Sequence, residues 1–146
     1  MGDHPSITLV TATREGEAIA VAAGLWLGGA APLIVIQNTG LLESGDSLRG
    51  TASRMGAAVP MLITGRGYAK MAKAGITPDE PRTRAFLTRP DVDTTAPLTE
   101  PTLDAWGIPF ERCEEEEYAA ATILRAIESA RTEERPTAAI IACPLN

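Results

Sequence analysis

The sequence predicts an α/β domain built on a doubly wound, parallel sheet. Three observations point there. Short continuous apolar runs recur along the chain, as strands covered on both faces require. Stretches of helical length and pattern separate these runs. The chain has 146 residues, 45% apolar and 22% charged, enough for one core in a single domain over residues 1–146. Neither internal repeats nor a low-complexity linker divides it.

The elements follow in order. Ile7–Thr11 ("ITLVT") reads as the first strand, and Glu15–Leu27 as a helix that is apolar all round. Leu33–Gln37 ("LIVIQ") is a second apolar run, followed by a helical pattern over Leu42–Met55. Val59–Thr64 ("VPMLIT") is a third. Thr102–Trp106 reads as a short helix after Pro101, Ile108–Arg112 as a weaker strand, Glu114–Arg131 as a helix and Ala138–Cys143 ("AAIIAC") as the last strand. The segment from Gly65 to about Thr99 shows little periodicity and is punctuated by Pro78, Pro81, Pro90 and Pro97. It is expected to be a long irregular loop, 65–99, either a functional, partner-bound connection or a plain surface loop.

Composition excludes several function classes. A net charge of −6 and an aromatic content of 4% suit neither a phosphate backbone nor a base-stacking platform, so no nucleic-acid partner is expected. Lys and Arg do not cluster, no secretory signal is visible, and the apolar run Ala18–Leu27 is too short to span a bilayer. A cytoplasmic protein without a membrane partner is expected. Cys113 and Cys143 have no metal-ligand spacing and read as two reduced core thiols, and the single histidine, His4, lies in a polar N-terminal stretch, so neither a His-based triad nor a His-rich metal site is expected. No metal site is expected in this chain.

Candidate chemistry lies at the ends of the strands. In "TATREGEAIAVAAGLWLGG", with Thr13 as a plausible N-cap, Glu15 and Glu17 fall in the first helical turn, where the helix dipole favours carboxylates. That alone explains them. The small residues that follow (Ala18, Ala20, Ala22, Ala23, Gly24) allow close packing on more than one side, including a subunit interface. The head of such a helix stands at the edge of an apolar site, where a carboxyl group can be tuned to exchange a proton near neutral pH. "QNTGLLESGDSL", Gln37–Leu48, is either a ligand edge or a capped strand-to-helix turn. "GRGY", Gly65–Tyr68, follows a strand directly, where free backbone N–H groups can hold an anion; Arg66 is a candidate for gripping an acidic substrate, or a solvated loop arginine. The glutamates of "CEEEEY" point around a helix start and read as a solvated face.

Taken together, "REGEAIAVAAGLWLGG", "PLIVIQNTGLLESGDSL" and "VPMLITGRG" resemble the pyrimidine-binding domain of thiamine diphosphate enzymes, nearest the sulfopyruvate and phosphonopyruvate decarboxylases. The resemblance covers Thr11 to about Pro81 and continues more loosely through "WGIPFERC" to the last strand. It implies a thiamine diphosphate-binding fold in which Glu15 binds N1′ of the cofactor's aminopyrimidine and shares a proton with it. The cofactor's C2 is thereby activated for decarboxylation of a 2-oxo acid. Glu17 would be packing or cap. Asn38, Thr39 and Gly40 would line the cofactor.

The chain departs from the family in three places. It has no Gly-Asp-Gly stretch with a downstream asparagine: Gly45-Asp46-Ser47 lacks the third residue, and the only asparagines are Asn38 and Asn146. Magnesium and diphosphate are therefore expected to be held by a partner, a diphosphate-binding beta subunit. The family's usual first helix and strand are not seen before Ile7. Leu42 and Glu43 replace the usual Gly and Asn, and Arg82-Thr83 replaces a Gln-His. The expectation is a pyrimidine-binding alpha subunit of a heteromeric 2-oxo acid decarboxylase that also self-associates through its Ala-rich helix. The alternative is a non-catalytic scaffold or regulatory subunit of the same fold.

Overall fold

The computed structural model describes residues 6–143. His4 and Asn146 lie outside them. Four parallel strands form one sheet: β1 (Ile34–Gln37), β2 (Pro60–Thr64), β3 (Phe110–Cys113) and β4 (Thr137–Ile141), in the order β1-β2-β4-β3. Pro60 opens its strand, a position where the missing N–H costs no ladder bond. The register aligns Ile36 with Ile63 and Ile63 with Ile140, so alternate residues share a face.

Helices cover both faces, as a doubly wound α/β fold requires. α1 (Glu15–Leu27) lies on one side with a near-continuous helical run: α2 (Asn38–Glu43), α3 (Gly45–Ser47), a π-helical turn (Leu48–Ala52) and α4 (Ser53–Met55). Ile19 and Ala23 of α1 pack there with Leu41, Leu48, Ile36, Ile63 and Ile140 in the main core. After β2 come α5 (Tyr68–Lys73), α6 (Arg84–Leu87) and α7 (Thr95–Ala105), and after β3 comes α8 (Glu116–Glu133). α8 covers the opposite face, where Ala119 and Ile123 meet Leu62, Ile141 and Cys113.

Three expectations need correction. Ile7–Thr11 takes no strand and pairs with none of the four strands among the described residues, and Ile7 and Leu9 are each 70% exposed. The stretch 65–99 is not one structureless loop, since it carries α5, α6 and the first turns of α7. The helix expected at Thr102–Trp106 starts earlier, at Thr95. Pro97 sits in the first turn of α7, where no backbone N–H is needed, so it starts the helix rather than excluding it.

The β1 edge is only half covered. Ile34 and Ile36 are buried against the α1 layer, but α8 packs on β3, β4 and β2 and leaves Val35 on the other face 52% exposed. α1 likewise leaves Val21, Leu25 and Leu27 in water. No helix among the described residues is long and apolar enough to cross a membrane.

Candidate functional site

The site forms where the carboxyl ends of β1 and β2 meet the head of α1. Arg14, with extended backbone, is the N-cap of α1, one residue later than Thr13. Thr13 instead donates to Glu17: its hydroxyl at 2.8 Å and its backbone N–H at 3.0 Å both reach Glu17 Oε2. The Thr13 hydroxyl bond is the main reason that the Glu17 carboxyl is held below its ordinary range. Glu17 is thus a cap, as its place in the first turn suggests.

Glu43 anchors the helix head from α2. Its Oε2 accepts the Gly16 N–H at 3.2 Å, and its Oε1 accepts from the Arg14 guanidinium. One of the free N–H groups at the start of α1 is satisfied in this way. The Leu42-Glu43 pair, set apart in the sequence as a departure, therefore includes the residue that fixes the position of α1.

Glu15 differs from both. It is half-buried, and no group among the described residues donates a hydrogen bond or an ion pair to its carboxylate. Its side chain lies across α2 at Gly40, where a Cβ would fall on Glu15 Cγ, Cδ and Oε1. Only glycine leaves room there. Glu15 and Gly40, far apart in sequence, are brought together by β1 running straight into α2.

Asn38 is fully buried and committed within the chain. Its Nδ2 donates to the Arg66 carbonyl at 3.0 Å and to Thr99 Oγ1 at 3.2 Å, and its Oδ1 accepts the Arg66 N–H at 3.1 Å. It clamps the end of β1 to the turn after β2 and to α7. Thr39 is exposed and donates to Gln37 Oε1 at 3.1 Å.

The "GRGY" turn has a different role from the anion-holding one expected of it. Gly65 N–H is bonded to the Ile141 carbonyl at 2.8 Å, and Arg66 N–H to Asn38, so neither is free for a ligand. Gly67 has φ +90°, and a Cβ there would lie 2.7 Å from Asp93 Cβ. The Arg66 guanidinium pairs with Asp93 at 3.3 Å and stays largely exposed. Partial burial works against ionisation of Asp93, but bonds from Thr95 and the Arg66 charge hold it below its ordinary range. Gln37, Thr64, Arg66 and Cys143 line a cleft of about 390 Å³ at these strand ends.

A second cleft, about 520 Å³, opens beside β3 and holds groups that were not singled out from sequence. Arg112 bonds Glu100 at 2.7 Å, Asp79 at 3.1 Å and Glu114 at 3.0 Å, and the Tyr68 hydroxyl donates to Glu100 at 3.3 Å. Burial, then the Glu100 charge, pushes the Tyr68 phenol above its ordinary range. The sequence signal was a charged pair, Glu111 and Arg112, within a short strand. The set is closed on itself and ties the 77–82 turn, α7 and β3 together. The glutamates that open α8 are exposed, as read from sequence.

Comparison with known proteins gives a limited link. No protein-family profile matches the chain. A stretch of 37 residues, 25% of the chain, is 54% identical to part of a phosphonopyruvate decarboxylase from Streptomyces viridochromogenes. That stretch is 9% of the enzyme's length, so the chain matches only a small part of it. The similarity relates the chain, over this stretch, to a decarboxylase.

Proposed function

We propose that this chain is the pyrimidine-binding subunit of a thiamine diphosphate-dependent 2-oxo acid decarboxylase, with Glu15 as its catalytic residue. One observation carries the reading: Glu15 is the carboxylate at the head of α1 that no donor among the described residues satisfies, and it rests on a glycine that keeps its place clear. Glu17 and Glu43 are already engaged. The local similarity to phosphonopyruvate decarboxylase supports the same class.

The residues present suit the pyrimidine half of the cofactor. Glu15 would bind N1′ and share a proton with it. Gly40 would give Glu15 its place beside the ring, with Thr39 at the rim. Asn38 would act by fixing the strand end. When bound, thiamine diphosphate supplies the electron sink for loss of carbon dioxide.

In this reading the diphosphate half of the cofactor is held by a partner chain. Among the described residues, no group of three His, Cys, Asp or Glu side chains could hold a metal ion. Magnesium and diphosphate fall to a beta subunit in this reading. The apolar side chains that α1 leaves in water (Val21, Leu25 and Leu27 at 39%, 42% and 71% exposure) and the half-covered β1 edge supply surface for that partner and for self-association. Arg66, at the mouth of the 390 Å³ cleft, offers positive charge to a sulfonated or phosphonated pyruvate.

The test is exchange of the cofactor's C2 proton for deuterium in the complex with its diphosphate-binding partner. Glu15→Gln keeps size and hydrogen bonding but cannot pass a proton, so exchange should slow by about 10²–10⁴-fold. Glu17→Gln should leave it near wild type. Wild-type exchange in Glu15→Gln would falsify the assignment.

A further inference from the structure

We propose that Cys113 and Cys143 form a redox pair, which closes to an intramolecular disulfide by exchange with a small disulfide such as oxidised glutathione. Sequence spacing gives no hint of this; the sheet creates it. β3 and β4 are parallel, with Cys113 opposite Ile141 and the Ala142 N–H bonded to the Cys113 carbonyl at 2.8 Å. Side chains alternate across a strand, so Cys143 follows Ile141 to the α8 side. There both cysteines join one apolar cluster with Ile141, Ala119, Leu62 and Ile123.

An offset of two residues along a straight strand would leave the Cα atoms too far apart for a disulfide. β4, however, stops at Ile141, and the chain bends at Cys143. There Cys143 packs against the apolar cluster that contains Cys113, and, beside the effect of burial, the Cys113 thiol is near enough to push the Cys143 thiol up. Among the described residues the pair belongs to no cluster of metal ligands, and Arg125 is an electrostatic neighbour of Cys113.

The two thiols have different access. Cys143 is half-buried and lines the cleft with Gln37, Thr64 and Arg66. Cys113 is 4% exposed, and its Sγ donates to the Glu115 carbonyl at 3.1 Å. Cys143 thiolate therefore attacks first, forming a mixed disulfide and releasing one small thiol. The Cys113 sulfur then attacks the Cys143 sulfur and releases the second. Two electrons pass from the protein to the small disulfide. The two protein thiol protons end on the two released thiols, so the exchange balances without another oxidant. Burial and the neighbouring Cys113 push the Cys143 thiol up, so thiolate is scarce at neutral pH. Closure should accelerate about tenfold per pH unit until the thiol titrates. The closed form pins the chain after β4 to the end of β3 and withdraws the Cys143 thiol from the cleft wall.

The experiment equilibrates the purified full chain with mixtures of reduced and oxidised glutathione at mildly alkaline pH, quenches with an alkylating agent and reads intact mass. The expected product has lost two hydrogens, carries no glutathione, resists alkylation and yields a linked Cys113–Cys143 peptide pair. Cys113→Ser should instead retain one glutathione on Cys143, and Cys113→Ala repeats the measurement if the serine variant folds poorly. A wild-type chain that ends with stable glutathione adducts, or with two alkylatable thiols in excess oxidised glutathione, overturns the proposal.

Discussion

Replacing Gly40 with alanine tests the contact on which the site depends. Two effects oppose one another. Gly40 is inside α2, where alanine is favoured over glycine by roughly 0.5–1 kcal/mol. The added methyl, however, lands on Glu15 Cγ, Cδ and Oε1. Overpacking of a fixed neighbour costs about 1–3 kcal/mol. Glu15 is not fixed: it is half-buried, and no partner holds its carboxylate. It should swing into solvent, leaving a net stability change within about 1 kcal/mol of zero. Activity should not survive that movement. C2-proton exchange in the partnered complex should fall about 10²-fold or more, although no catalytic atom has been changed. Urea titration of Gly40→Ala, Glu15→Ala and the double variant gives the coupling, expected near 1 kcal/mol, because removing Cγ and beyond relieves the collision. Zero coupling together with wild-type exchange in Gly40→Ala would show that Glu15 does not rest on Gly40, and the site as described would fail.

Further outcomes follow from the same geometry. Asn38→Ala removes the three hydrogen bonds by which the buried amide joins the end of β1 to the turn after β2 and to α7, and should cost about 1–3 kcal/mol, read from the urea midpoint. Asp93 is held below its ordinary range in the folded chain, so its contribution is fully present above the unfolded value of about 3.9 and is lost as pH falls through the lower native value. Asp93→Asn should accordingly flatten part of the acid limb when melting temperature is plotted against pH, with little change in that slope near neutrality. Val21→Glu combined with Leu25→Glu should leave the monomer folded, since both side chains already meet water, and should abolish self-association in sedimentation. A wild-type chain that stays monomeric at high concentration counts against the α1 interface.

The fold was legible wherever hydrophobic period and neighbouring strands agreed. Leu33–Gln37, Val59–Thr64 and Ala138–Cys143 all became strands of the sheet, within a few residues, because each has a pairing partner inside the chain. Ile7–Thr11 is also apolar, but it pairs with no strand among the described residues and takes no regular structure. Strand propensity reports fitness for a sheet, and the sheet must still be present. α7 was hidden for the opposite reason. Its two prolines read as breakers, yet Pro97 lies in the first turn, and Pro101 is tolerated inside a helix whose Ala96, Thr99 and Leu103 are buried. Tertiary burial outweighed local preference there.

The candidate site shows where reading a chain by segments stops. Glu15 could be singled out from its neighbours in sequence, because a carboxylate at the head of an apolar helix is unusual company. What distinguishes it from Glu17 and Glu43 is which donors reach each carboxylate, and those donors come from Thr13, Gly16 and Arg14 through the packing of α1 on α2. Asn38 shows the converse: its place beside Thr39 and Gly40 suggested a ligand contact, while the fold uses its amide to join β1, β2 and α7. The glycine at 40 matters because of what lies above it, an arrangement no local motif encodes. The roles at this strand end are therefore divided, with Glu43 and Asn38 holding the frame and Gly40 keeping space. Of the three carboxylates at the head of α1, Glu15 is the one that no donor among the described residues reaches. A frame so fully satisfied around one unsatisfied carboxylate is what a proton-sharing site needs, because the surrounding donors cannot rearrange to neutralise it before the ligand arrives.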